Sequence, residues 1–88
     1  MAGVYFVLYP GELTPQDRAA LNRPGFKVYE NGIGLIEAYF VDNPPAGGPE
    51  VASHQVVRLR AESAADASRQ VIDALGRQPD GLRARGPE

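Results

Sequence analysis

Apolar positions along the chain change period several times, and the changes mark the elements. Val4-Tyr5-Phe6-Val7-Leu8-Tyr9 is an unbroken β-branched and aromatic run closed by Pro10-Gly11, which predicts a buried first strand. Thr14-Pro15-Gln16-Asp17 then supplies an N-cap, a proline at the first helical position and an acid that answers the helix dipole. A short helix from Pro15 to about Leu21 follows, because Pro24 disfavours helical geometry at Arg23 and Gly25 breaks the pattern again.

Phe26 to Glu30, Asn31-Gly32 and Ile33 to Val41 together predict a hairpin, since Asn-Gly populates the positive φ angles of a tight type I′ turn. In that register Lys27 falls opposite Ile36 and Phe26 opposite Glu37, so the two faces do not match. A bulge near Gly34 repairs this, and one long bent strand is the alternative. Asp42 to about Ser53 reads as a loop rich in Pro and Gly, of the length that is usually functional or mobile.

His54 to Ala61 alternates, with Val57, Leu59 and Ala61 on one side and Val56, Arg58 and Arg60 on the other. Ser63 caps a second helix whose Ala64, Ala67, Val71, Ala74 and Leu75 share one face and which Gly76 stops. Pro79-Asp80-Gly81 is a turn, and Leu82 to Arg85 can add a short edge strand before a frayed 86–88 end. The fold class is therefore α+β: one domain over residues 1–85, with two helices packed on one face of an antiparallel sheet in β-α-β-β-α-(β) order. With the last strand this is the split order of ferredoxin-like domains. Without it, Thr14 to Leu75 has the element order of double-stranded RNA-binding domains. Those domains are basic where this last helix begins with Glu62, Ser63 and Asp66.

Composition narrows the function. Nine Lys plus Arg against eleven Asp plus Glu give a net charge of −2, which argues against nucleic acid as a partner. The absence of cysteine excludes disulfides and thiolate chemistry, and no apolar run reaches the length of a membrane helix. The expected setting is the cytoplasm of a prokaryote. His54 is the only imidazole and has no metal-ligand or acid–base partner at a recognisable spacing, and Gly32-Ile33-Gly34 and Gly47-Gly48 lack the helix and Lys of a phosphate loop. No metal, cofactor or catalytic residue is expected.

The hairpin reading leaves one face of the sheet uncovered. Leu35, Glu37, Tyr39 and Val41 would lie there beside Val56, Arg58 and Arg60, with Tyr5, Val7 and Tyr9 joining them if Val4, Phe6 and Leu8 point to the core. Tyr and Arg anchor protein contacts, so Tyr39, Glu37, Arg58, Arg60 and His54 are the candidate binding residues. The expected function is a small binding or regulatory module, acting as a homodimer through this face or a sheet edge, or as the partner of another protein, with a small-molecule ligand next. A small dimeric α+β barrel enzyme with an apolar pocket between sheets is the alternative.

Overall fold

The computed structural model describes residues 2–40, 42–43 and 48–87, with the exception of the Tyr39 side chain. Among them are a four-stranded antiparallel open sheet and four helices. In chain order these are β1 (Gly3–Tyr9), α1 (Pro15–Ala20), β2 (Lys27–Tyr29), α2 (Gly32–Tyr39), α3 (Gly48–Ala52), β3 (Gln55–Ala61), α4 (Ala64–Leu75) and β4 (Arg83–Arg85). The sheet order is β2-β3-β1-β4, and every pairing is antiparallel. No helix among the described residues is long and apolar enough to cross a membrane.

The capping chemistry read from the sequence is present. Thr14 Oγ1 accepts from the Asp17 N–H at 3.1 Å, and Ser63 Oγ accepts from the Asp66 N–H at 3.0 Å. Gly76 closes α4 at φ +76°, where a side chain would be strained. The helices α1 and α4 pack on the same face of the sheet, where Leu21, Ala67 and Val71 meet Tyr5, Val7, Tyr9, Val57 and Leu59.

The opposite face is not open. Gly32–Tyr39, most of the segment expected as the second strand of the hairpin, instead forms α2, so neither the hairpin nor the long bent strand forms. Asn31 is the reason. It has φ −143° and not the positive angle of a type I′ turn, and its side chain accepts from the Ile33 N–H at 2.9 Å as an N-cap. Gly32 permits the close approach that follows: its N–H donates to His54 O at 3.0 Å, and a Cβ there would stand 1.8 Å from Val51 O. Gly48–Ala52, expected within a loop, is helical, and its Val51 is fully buried. Residues 44–47 of that expected loop, and Val41, lie outside the described residues.

Together α2 and α3 lay Leu35 and Val51 over Phe6, Leu8 and Val56 as a second core. Phe40 sets its ring edge-on to Phe6 at 5.7 Å and 85°. Both sides of β1 are therefore buried, and Tyr5, Val7 and Tyr9 do not join an open face. Tyr5, Val7 and Tyr9 face α1 and α4, because the register sets Val7 against Val57 and Tyr5 against Leu59, while Phe6 and Leu8 face α2 and α3. Ile33 is the one large apolar side chain left well exposed among the described residues, and Leu35 and Val56, expected on an open face, are fully buried.

Candidate functional site

With both faces of the central strands covered, the sheet meets its surroundings at its edges. At the β2 edge, Pro24 and Gly25, the latter at φ +88°, turn the chain out of α1 and into a strand of only three residues. Short α1 and short β2 leave an open groove of about 730 Å³ between them. Its walls include buried Leu13 and Leu21 and half-buried Phe26 and Val28, with Arg18, Asn22 and Lys27 at its rim. Arg18 is ion-paired with Glu30, which follows β2, so one cation of the rim is already answered.

A polar clamp outside the lining of the groove ties α1 to β1 and to the residues after α4. Asp17, 3% exposed, accepts a hydrogen bond from Tyr9 Oη and a forked pair from Arg77, at 2.6 Å to Oδ1 and 2.7 Å to Oδ2. The Arg77 guanidinium, with help from the Tyr9 hydroxyl, holds the Asp17 carboxyl below its ordinary range against the opposing effect of burial. Burial and the bond to Asp17 push the Tyr9 phenol up, and Arg77 is raised by Asp17 and then Tyr9. All three groups are thus held in the charge states that bind one another, which fixes α1 relative to β1 and the end of α4.

A second recess of about 370 Å³ lies where β1 ends and β3 begins, lined in part by Tyr9, Glu12, Ser53 and His54. His54 Nδ1 is 2.7 Å from Glu50 O, and a carbonyl only accepts, so this nitrogen carries the proton. Ser53 Oγ donates to the same carbonyl at 2.8 Å. Both groups therefore serve as a C-terminal cap of α3, and the ring nitrogen nearest Ser53 is a donor, unable to act as a base toward its hydroxyl.

Of the residues singled out from the sequence, Arg58 and Arg60 lie together on one face of β3. Arg58 is stacked over Phe40 at 5.7 Å, and Arg60 is exposed. Glu37 is exposed on α2, not on a strand beside them. The Tyr39 side chain lies outside the described residues. His54 stands at the other end of β3, about 20 Å along an extended chain from Arg60.

Sequence reasoning missed the roles of Lys27, Glu50 and Asp17. The register places Lys27 directly opposite Arg58, with Arg85 on the far side of Phe6 in the same cross-strand row. On the β4 side Glu50 answers Arg83 and Arg85, the latter at 2.6 Å, and the Arg85 bond leads in holding its carboxyl below the usual range. On the β2 side, Lys27 and Arg60 have no ion pair among the described residues. They border a third groove, of about 380 Å³, that also touches Val4, Gly25, Phe26 and Arg58. No group of three or more His, Asp or Glu side chains that could hold a metal occurs among the described residues. Comparison of the chain with protein-family models, with curated proteins and with solved structures returned no match.

Proposed function

We propose that this protein is a small binding module that holds an extended segment of another polypeptide against the β2 edge of its sheet. The observation that carries the reading is the coincidence of an edge strand with a mixed apolar groove of about 730 Å³ alongside it. An added strand gains main-chain hydrogen bonds from the edge and places alternate side chains in the groove, which is how peptides are recognised by strand addition. The order β4-β1-β3-β2, with α1 and α4 on one face, supports a ferredoxin-like frame carrying α2 and α3 between its second and third strands. Absence of cysteine suits a reducing compartment, and we place the module in the cytoplasm.

The test is an amide-shift titration of the labelled protein with a strand-forming peptide of alternating Gln and Val, flanked by Gly-Ser pairs for solubility. Shifts centred on Lys27–Tyr29 and α1 are expected. Shifts confined to the His54 recess, or none at millimolar peptide, overturn the reading. Sedimentation of the protein alone at ~100 μM, the weak end of useful self-association, separates the two sources of a strand. A dimer that the peptide dissociates makes the occupant a second copy of the chain.

A further inference from the structure

We infer that the strand taken up at β2 is acidic and apolar in alternation, an inference that rests on the binding reading above and names the chemistry of the partner. The two sides of β2 offer different surroundings to a neighbour. On the α1 side, Phe26 and Val28 open onto the groove with Leu13 and Leu21, so partner residues opposite them are apolar. On the other side, Lys27 stands exposed and opposite Arg58, with Arg60 two residues further along β3.

Like charges directly opposite across strands are destabilising, and this chain has the means to avoid them. At the β4 edge, where Arg83 and Arg85 lie two residues apart on one strand, Glu50 pairs with both. The β2 side has no such acid paired with Lys27 or Arg60 among the described residues, although the chain as a whole is net acidic. The third groove, bordered by Gly25, Lys27, Arg58 and Arg60, lies where β3 continues past Arg58 with no β2 residue paired to it. A strand beside β2 therefore presents carboxylates toward Lys27 and, at the position level with Gly25, toward Arg60. The same strand presents apolar side chains opposite Phe26 and Val28. Arg23, placed over the Phe26 ring at 5.9 Å, adds a further cation at that end.

The experiment compares a flanked Glu-Val-Glu-Val-Glu-Val peptide with its Gln-Val counterpart by fluorescence anisotropy at low and high salt. The acidic peptide is expected to bind about five- to tenfold more tightly at low salt, the sum of two or three exposed cross-strand pairs. That preference should vanish at high salt and in the doubly substituted Lys27→Gln, Arg60→Gln protein. Equal affinity of the wild-type protein for both peptides overturns the acidic preference and leaves the binding module standing. Failure of both peptides to bind overturns the module and this inference with it. Tighter binding of a hexathymidylate than of the acidic peptide also overturns the inference, by making the cations a nucleic-acid surface.

Discussion

Replacing Gly34 by Ala should stabilise the protein, while the same change two residues earlier, at Gly32, should damage it severely. Both glycines lie in α2, and neither has a positive φ. At Gly34 an added Cβ meets nothing within 4 Å, so the substitution removes backbone entropy from the unfolded chain at no steric cost. Glycine within a helix is about 0.5–1 kcal/mol worse than alanine. A domain of this size converts each kcal/mol into about 4–8 °C of melting temperature. Gly34→Ala should therefore raise the midpoint by a few degrees. At Gly32 the Cβ would stand 1.8 Å from Val51 O, 2.7 Å from Val51 C and 2.8 Å from His54 O, all backbone atoms that no rotamer change can move. The start of α2 must then back away from α3 and β3, lifting Leu35 from the core, and the loss should approach the ~2–5 kcal/mol of a large core truncation. Thermal and urea denaturation followed by circular dichroism reads both effects. A hairpin through Asn31-Gly32 would make both substitutions unfavourable, Gly34→Ala by filling a bulge, so a lowered midpoint for Gly34→Ala refutes the helical assignment.

Leu35→Ala, at a fully buried position, should cost ~2–5 kcal/mol in urea unfolding; a loss under ~0.5 kcal/mol would mean that α2 does not cover the sheet. Ser63→Ala should cost ~1 kcal/mol through the lost bond to the Asp66 N–H, and an unchanged midpoint would show that this cap contributes nothing. Asp17→Asn should cost about 1.5 kcal/mol at neutral pH, the low end for hydrogen bonds to a charged group because Arg77 is half exposed. The Asp17 pKa is lowered in the folded state, so its contribution is complete above the unfolded value of about 3.9 and disappears as pH falls through the folded one. The stability curves of the wild type and the Asn variant should accordingly converge in acid; a gap that persists at pH 2 would show that the effect is packing and not charge.

The elements marked by local chemistry were legible in the sequence, and the one that depends on distant packing was not. Thr14-Pro15, Ser63 and Gly76 act on groups within one turn of themselves, so α1 and α4 follow from the sequence alone. Asn31-Gly32 serves equally as a type I′ turn or as an N-cap and first helical residue, and Ile33 to Val41 is too uniformly apolar for a period to choose between them. Two signals pointed to the helix. The faces of the supposed hairpin did not match, and the unbroken Val4–Tyr9 run is the pattern of a strand buried on both sides, which an open face cannot supply. The Asp17 clamp was hidden for a different reason. Its acid reads as an ordinary first-turn residue, and its partner Arg77 is sixty positions away.

Covering both faces of β1 in so short a chain has a consequence for the edges, where the remaining unpaired backbone must lie. Edge strands are protected from indiscriminate pairing by being short, by being charged or by being tied to another element. The β4 edge uses all three devices, since its three residues carry Arg83 and Arg85 and both are bound to Glu50 of α3. The β2 edge is short and carries Lys27, and its tie to α1 is through Glu30 beyond its last residue. Lys27 and its neighbour Arg60 repel a basic strand and leave a neutral one without compensation, yet no carboxylate of this chain binds them among the described residues. The same charges that guard the edge against unrelated strands would, in the proposed reading, admit one that brings its own acids. Specificity of this kind comes from the repulsive half of the arrangement as much as from the attractive half. It is the difference between the two edges, more than the presence of a groove at one of them, that supports the proposal of binding at β2.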